Sequence, residues 1–203
     1  MAVITISRQF GAGGRTLGKM IAEKLGYRFL DDQIIQEIAQ QARVTRNTVI
    51  SMERSAGGPI SRLISSLLSR NYMERLTGRD IGYMDENVYV EALYDVIQKL
   101  AGEDNVILTG RGGQYILENF TNTFHLLLVA DQTDRIDFMK RHYNLSDAKA
   151  ASAVAGGEKR RANLYRKIGK EDYNDPNHYH LVLNMSRISL ESGVELVCDL
   201  AVA

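Results

Sequence analysis

The stretch AVITISRQFGAGGRTLG, residues 2–18, decides the fold. Val3, Ile4, Thr5 and Ile6 form a β-branched run of the kind that fills a buried strand. Gly11, Gly13 and Gly14 then crowd a tight turn. TLGKMIAEKL, residues 16–25, follows with helical spacing. Strand, glycine-rich turn and helix together place free backbone N–H groups and the positive end of a helix dipole around an anion, above all a phosphate.

The rest of the chain sets limits on this reading. Its 203 residues are enough for one α/β domain with a real core. It carries 25 basic and 25 acidic side chains, so no net field recruits nucleic acid or an anionic membrane, and neither is expected as a partner. Cys198 is the only cysteine, which excludes an intrachain disulfide and a paired-cysteine metal site. No apolar run approaches the roughly 20 residues of a membrane span. The first residues lack the charged start and long apolar middle of a signal peptide. The expectation is a soluble cytoplasmic protein, with a homodimer left open.

Outward from the first helix, Gly26 reads as a stop, and residues 27–30 as a second strand ending in Asp31 and Asp32. Residues 33–43 are helical, with Ile34, Ile35, Ile38 and Ala39 on one side. Residues 43–84 read as a looser helical insert on the acceptor side, broken at 56–59 and 77–80. Residues 88–100 form an amphipathic helix. Residues 105–109 and 124–130 are buried strands, the first running into Gly110, Arg111, Gly112 and Gly113. Residues 146–167 are helix-like, 179–183 a last strand and 190–202 a last helix. Strands alternating with helices predict an α/β fold, a parallel sheet of about five strands covered on both faces.

Three readings of residues 11–16 compete. A plain turn gains little stability from so many glycines. A dinucleotide-binding turn fits Gly11 and Gly13, with Asp31 or Asp32 where a ribose-binding acid belongs, but its third glycine would fall on Thr16. A P-loop of nucleoside monophosphate kinase type matches Thr16, whose hydroxyl faces Mg²⁺, but asks for a lysine on the outer phosphates.

The chain resembles the cytidylate kinase-like family. The resemblance rests on SRQFGAGGRT at 7–16, LGYRFLDD at 25–32, TGRGG at 109–113, EKRR at 158–161 with Tyr165, and YHLVLN at 179–184. Their order and spacing hold across nearly the whole chain. The resemblance implies a P-loop NTPase fold, ATP and Mg²⁺, and phosphoryl transfer to a nucleoside monophosphate. Gly11, Ala12, Gly13, Gly14, Arg15, Thr16 and Leu17 would then hold ATP, Thr16 acting on the metal. Arg111 would hold the acceptor phosphate, with Asp31 and Asp32 at the acceptor. Ser186 and Arg187 would line the base pocket.

Departures from the family pattern are specific. Gly14 stands where the P-loop lysine should be, Arg15 replaces a glycine, and Arg8 replaces the glycine that opens the motif. Arg15 is the nearest substitute cation, with Arg8 and Lys19 as others, since a guanidinium grips two phosphate oxygens at once. Thr109 and Gly112 replace two carboxylates, and Ile38 stands where the next acceptor-binding arginine belongs.

Between positions 159 and 170 lie Lys159, Arg160, Arg161, Arg166, Lys167 and Lys170, with Gly156, Gly157 and Gly169 flanking the group. Residues 155–172 read as a lid whose arginines close on the phosphates, and the glycines as its hinges. His125, inside an apolar strand, reads as a core or interface residue. The expected function is ATP-dependent transfer to a nucleoside monophosphate, CMP or dCMP first, with Arg15, Asp32, Arg160 and Arg161 in catalysis. The alternatives are a nucleotide-binding regulator with weak or no catalysis, a kinase of another small molecule and, third, a dehydrogenase.

Overall fold

The structure, a computed structural model, describes residues 3–55 and 84–201. β1 (Val3–Arg8) lies at the middle of a five-stranded sheet with β2 (Arg28–Leu30), β3 (Val106–Thr109), β4 (Thr123–Val129) and β5 (Leu181–Asn184). The order is β2-β3-β1-β4-β5, and every pairing is parallel. Ile6 stands opposite Thr109 on one side and Leu126 on the other, so β1 runs on past the end of β3 and leaves the sheet beside the end of β4.

Alternation along each strand sends side chains to opposite faces. Val3, Leu30, Val106 and Leu108 pack against Ile34 and Ile38 of α2 (Asp32–Gln41) and Leu93 and Ile97 of α4 (Glu86–Ala101). α3 (Arg46–Arg54) adds Val49 to this side. Ile4, Ile6, Ile107, Leu126 and Leu128 pack against Leu17 and Ile21 of α1 (Gly14–Leu25) and Val194 and Val197 of α8 (Leu190–Ala201). Two covered faces explain why the strands read as continuous apolar runs. Each such side chain contributes about 1.5–3 kcal/mol by leaving water.

Element ends follow local chemistry. α1 stops at Gly26, whose left-handed backbone lets its N–H reach the Ala22 carbonyl. α4 starts at Asp85, whose carboxylate accepts from the Val88 N–H at 2.9 Å. The short α5 (Gly113–Ile116) follows β3, α6 (Gln132–Tyr143) follows β4, and α7 (Asp147–Lys167) packs back on α6 through Met139, Ala150 and Val154. The last strand begins at Leu181, after a 3₁₀ turn at Pro176–His178. Of the helical insert expected over 43–84, α3 is observed; the breaks at 56–59 and 77–80 lie outside the described residues.

Gly156 and Gly157 do not form a hinge. α7 runs through both as one helix of 21 residues. Gly157 is glycine because the Phe10 ring lies against the helix there: a Cβ would stand 2.1 Å from Phe10 Cγ. At Gly156 a Cβ would meet only the end of Arg160, at 3.5 Å. Gly169, with φ +70, ends the segment that follows the helix. Gly156→Ala should therefore raise stability in urea unfolding by about 0.5–1 kcal/mol through helix propensity. Gly157→Ala should lower it by about 1–2 kcal/mol, because overpacking against Phe10 outweighs that gain.

His125 is buried in β4, as an apolar strand predicts, with Nδ1 2.8 Å from Thr5 Oγ1. Burial, with His180 adding to it, pushes its pKa down to about 4. A lowered folded pKa means that the unfolded chain binds the extra proton first. This contribution to stability is complete above pH ~6.5 and is lost as pH falls from there toward ~4. The difference in unfolding free energy between wild type and His125→Gln should shrink across that window by about 2–3 kcal/mol.

Candidate active site

β1 delivers the chain to the turn at the carboxyl edge of the sheet. Gln9 pins the approach: its N–H donates to the Leu128 carbonyl at 2.9 Å, and its Oε1 accepts from the Ala130 N–H at 2.9 Å. Gly11 and Gly13 then take φ of +90 and +81. At Gly11 close approach also matters, since a Cβ would stand 2.9 Å from the Arg135 carbonyl oxygen. Gly13 caps α1 with no side-chain bond, so the amides of the first helical turn stay open to a ligand. A left-handed glycine turn running into an uncapped helix start is a phosphate cradle. Thr16 sits half-buried within it. Leu17 does not belong to it. Its side chain is buried against α8, and its N–H donates to the Gly13 carbonyl at 2.9 Å. Helical periodicity turns position 17 inward.

A cavity of about 530 Å³ opens beside the turn. Arg8, Arg15, Arg54, Arg111, Arg160 and Arg161 line it, against the carboxylates of Asp31, Asp32 and Glu53. A chain with no net charge thus concentrates positive charge in one cleft, where low-dielectric walls strengthen its pull on anions.

The acids at the end of β2 are held by arginines. Asp31 meets Arg15 Nε and Arg111 Nη1, both at 3.3 Å, and Asp32 meets Arg15 Nη2 at 3.1 Å. Asp31 occupies the N-cap position of α2 yet makes no capping bond. Arg15 is therefore a partnered side chain, 45% exposed, at the rim of the cavity. Arg111 is much more enclosed. Gly110, Arg111 and Gly112 all take left-handed backbone, with φ of 71, 55 and 73. For an arginine that conformation costs about 1–2 kcal/mol. It lets Nε donate to Glu53 Oε1 at 2.8 Å and Nη1 to the Asp31 carbonyl at 3.1 Å. The Glu53 and Asp31 carboxylates hold the guanidinium firmly charged against the cost of burial. Arg111 lines the cavity, and its Nη2 has no bond among the described residues. The buried Thr109 Oγ1 beside it also has none.

Arg160 and Arg161 reach the cavity from α7. Arg160 lies over the Phe10 ring, 5.5 Å from its centre, and Arg161 over Tyr173 at 4.7 Å. Glu158 joins this helix to the turn, accepting from the Phe10 N–H and from Arg135 Nη1. Farther along, the Tyr165 hydroxyl lies 3.1 Å from Ser7 Oγ and accepts from Gln114 Nε2 at 3.0 Å. The basic cluster is thus anchored to the sheet at both ends of its active face.

Ser186 and Ala12 line a second cavity of about 360 Å³ on the other side of the turn. Ser186 Oγ accepts from the Asp131 N–H at 2.8 Å. Arg187 is exposed and does not reach it. Sequence reasoning missed Glu53 and Arg54. The loss of carboxylates at 109 and 112 was the available signal, because a buried arginine still needs an acid.

Sheet order, glycine turn and arginine-lined cleft together define the P-loop kinase type of fold. The chain belongs to the cytidylate kinase-like family, whose model matches residues 3–187. It is 27% identical to the cytidylate kinase of Methanocorpusculum labreanum (strain ATCC 43576 / DSM 4855 / Z), over 98% of this chain and 96% of that one. An uncharacterised protein from Eubacterium ventriosum ATCC 27560 superposes with a TM-score of 0.69 at 14% identity, over 100% of this chain and 99% of that one. The shikimate kinase of Bacteroides thetaiotaomicron superposes at 0.52 with 15% identity, over 100% and 99%. The two structural likenesses show the fold alone. No helix among the described residues is long and apolar enough to cross a membrane.

Glu53→Ala should strip Arg111 of its closest carboxylate. Unfolding in urea should show a loss of about 2–3 kcal/mol, below the ~3–5 of a fully buried pair because Glu53 is 20% exposed. Glu53→Gln, which keeps an acceptor oxygen, should lose less.

Proposed function

We infer that the protein transfers a phosphoryl group from ATP to a nucleoside monophosphate, with CMP or dCMP as the first acceptors to test. The observation that carries this reading is the uncapped glycine cradle facing Arg160 and Arg161 across one cleft. Its likeness to a named cytidylate kinase points to the acceptor.

The residues present suit ATP and Mg²⁺. The open amides at the start of α1 fit phosphate oxygens, and Thr16 offers a hydroxyl to the metal. Among the described residues no group of three acids or histidines forms a metal cage. That suits Mg²⁺, which binds through phosphates and waters with few protein ligands. ATP and Mg²⁺ supply the transferable group and much of the countercharge. The chain's own task is positioning and charge stabilisation. Arg160 and Arg161 neutralise charge spreading over the transferring group. Arg111 presents Nη2 to the acceptor phosphate while Glu53 and Asp31 hold the rest of its guanidinium still. Arg15 keeps Asp31 and Asp32 at the acceptor side of the cleft.

A second reading, a nucleotide-binding protein without transfer, is favoured by one observation. Gly14 puts no side chain over the phosphates. Incubation with labelled ATP, Mg²⁺ and each nucleoside monophosphate separates the two. Transfer to CMP or dCMP above the other acceptors is expected, and Arg160→Ala with Arg161→Ala should reduce it by about 10²-fold or more. ATP binding without transfer to any acceptor would establish the second reading instead.

A further inference from the structure

The cleft contains one partly buried cation, Arg8, with no hydrogen bond or ion pair among the described residues. Arg8 ends β1 on the face it shares with Ile4 and Ile6, the face covered by α1. Its stem crosses the start of that helix. A Cβ at Gly14 would stand 2.8 Å from Arg8 Cγ and 3.1 Å from Arg8 Cβ. Its guanidinium reaches the turn after β3, where a Cβ at Gly110 would stand 2.0 Å from Nη1. The two glycines are the walls of a corridor that only Arg8 fills. At Gly110 the left-handed backbone is a further reason for glycine. Gly14 is an ordinary helical residue, so there the space taken by Arg8 is the reason.

The Arg8 guanidinium lines the cavity and has no hydrogen bond or ion pair among the described residues. Asp31, the carboxylate that acts on it most, is engaged by Arg15 and Arg111. Burial, with Arg111 and Arg161 nearby, presses its pKa below the ordinary arginine value. A partly buried cation with no partner among the described residues carries a burial cost, and an anion arriving in the cleft offsets it. Arg15, the cation nearest in sequence, is already bridged to two carboxylates at the rim.

We propose that Arg8 is the phosphate-gripping cation of this site, holding the outer phosphates of a nucleoside triphosphate from the strand side of the turn. It does from position 8 what a P-loop lysine does from the first turn of its helix. A fork of N–H groups can hold two oxygens at once. The two solutions exclude each other sterically, since any side chain at position 14 enters the corridor of the Arg8 stem. The proposal rests on the nucleotide reading above and adds to it the residue that reads the triphosphate.

Calorimetric titration of ATP and AMP tests it, using wild type, Arg8→Met, Arg8→Gln, Gly14→Lys and the double variant Arg8→Gly with Gly14→Lys. Each variant is first checked for an unchanged melting transition. Methionine keeps the stem over Gly14, and glutamine gives a second removal of charge should methionine disturb the fold. Arg8→Met and Arg8→Gln should weaken ATP by about tenfold to a hundredfold, the worth of a hydrogen bond to a charged group. AMP should change by less than about twofold, within the scatter of neutral contacts. Gly14→Lys alone should weaken ATP through its collision with Arg8, and the double variant should recover most of the affinity. ATP affinity unchanged in both Arg8 variants overturns the assignment while leaving the nucleotide reading standing. Wild-type protein that binds neither ATP nor inorganic triphosphate overturns both.

Discussion

Parallel pairing along both edges of β1 places the glycine turn, Arg8 and the turn that carries Arg111 around one cleft. Ile6 is level with Thr109 and Leu126, and the Gly110 N–H closes the ladder on the Ile6 carbonyl at 2.9 Å. Because β1 is bonded on both sides, its exit is rigid, and Arg8, the turn and the start of α1 inherit that rigidity. The same register sets the β3 exit beside it, so the left-handed turn carrying Arg111 faces the glycine cradle. A slip of one residue in either pairing would exchange the faces of Ile6 and Ser7, taking Ile6 from its packing on α1 and α8 and Ser7 from its contact with Tyr165. The apolar packing on both faces therefore protects the geometry of the site.

Charge within the cleft is organised in two kinds. Arg15 and Arg111 are tied to Asp31, Asp32 and Glu53 and shape the acceptor side. Arg8, Arg160 and Arg161 lean on glycine, Phe10 and Tyr173, surfaces that place a cation without neutralising it. Cations held by aromatic faces keep donors available for a ligand. Arg161 also meets Glu158 at 3.8 Å, whereas Arg8 and Arg160 have no ion pair among the described residues and are a standing attraction for phosphate.

Much of the fold was legible from residues 2–18 and from the apolar runs at 105–109 and 124–130. Period and length distinguish buried strands from amphipathic helices without any tertiary knowledge. The gathering of Arg111, Arg160 and Arg161 at one turn followed from motif order. The hinge at Gly156 and Gly157 did not hold, because a glycine pair reads the same whether it bends or receives a ring. Phe10, more than a hundred residues away, decides between those outcomes. Glu53 was missed for a similar reason: the lost carboxylates at 109 and 112 signal that Arg111 needs an acid, but nothing on a loosely patterned helix says which acid answers it.

The amino-acid sequence by itself determined the element types, the anion-binding turn and the absence of a lysine at position 14, all matters of local spacing and residue chemistry. Which cation answers that absence was a matter for the tertiary structure. Arg15 lies nearer the turn in sequence than Arg8, and their charges are identical. Arg8 runs up the α1 face of a central strand between two glycines and ends without a partner among the described residues. The other leaves the first turn of a helix toward two carboxylates. Only the packing of β1, α1 and β2 separates them, because a cation's availability depends on what lies within a few ångströms of it in space.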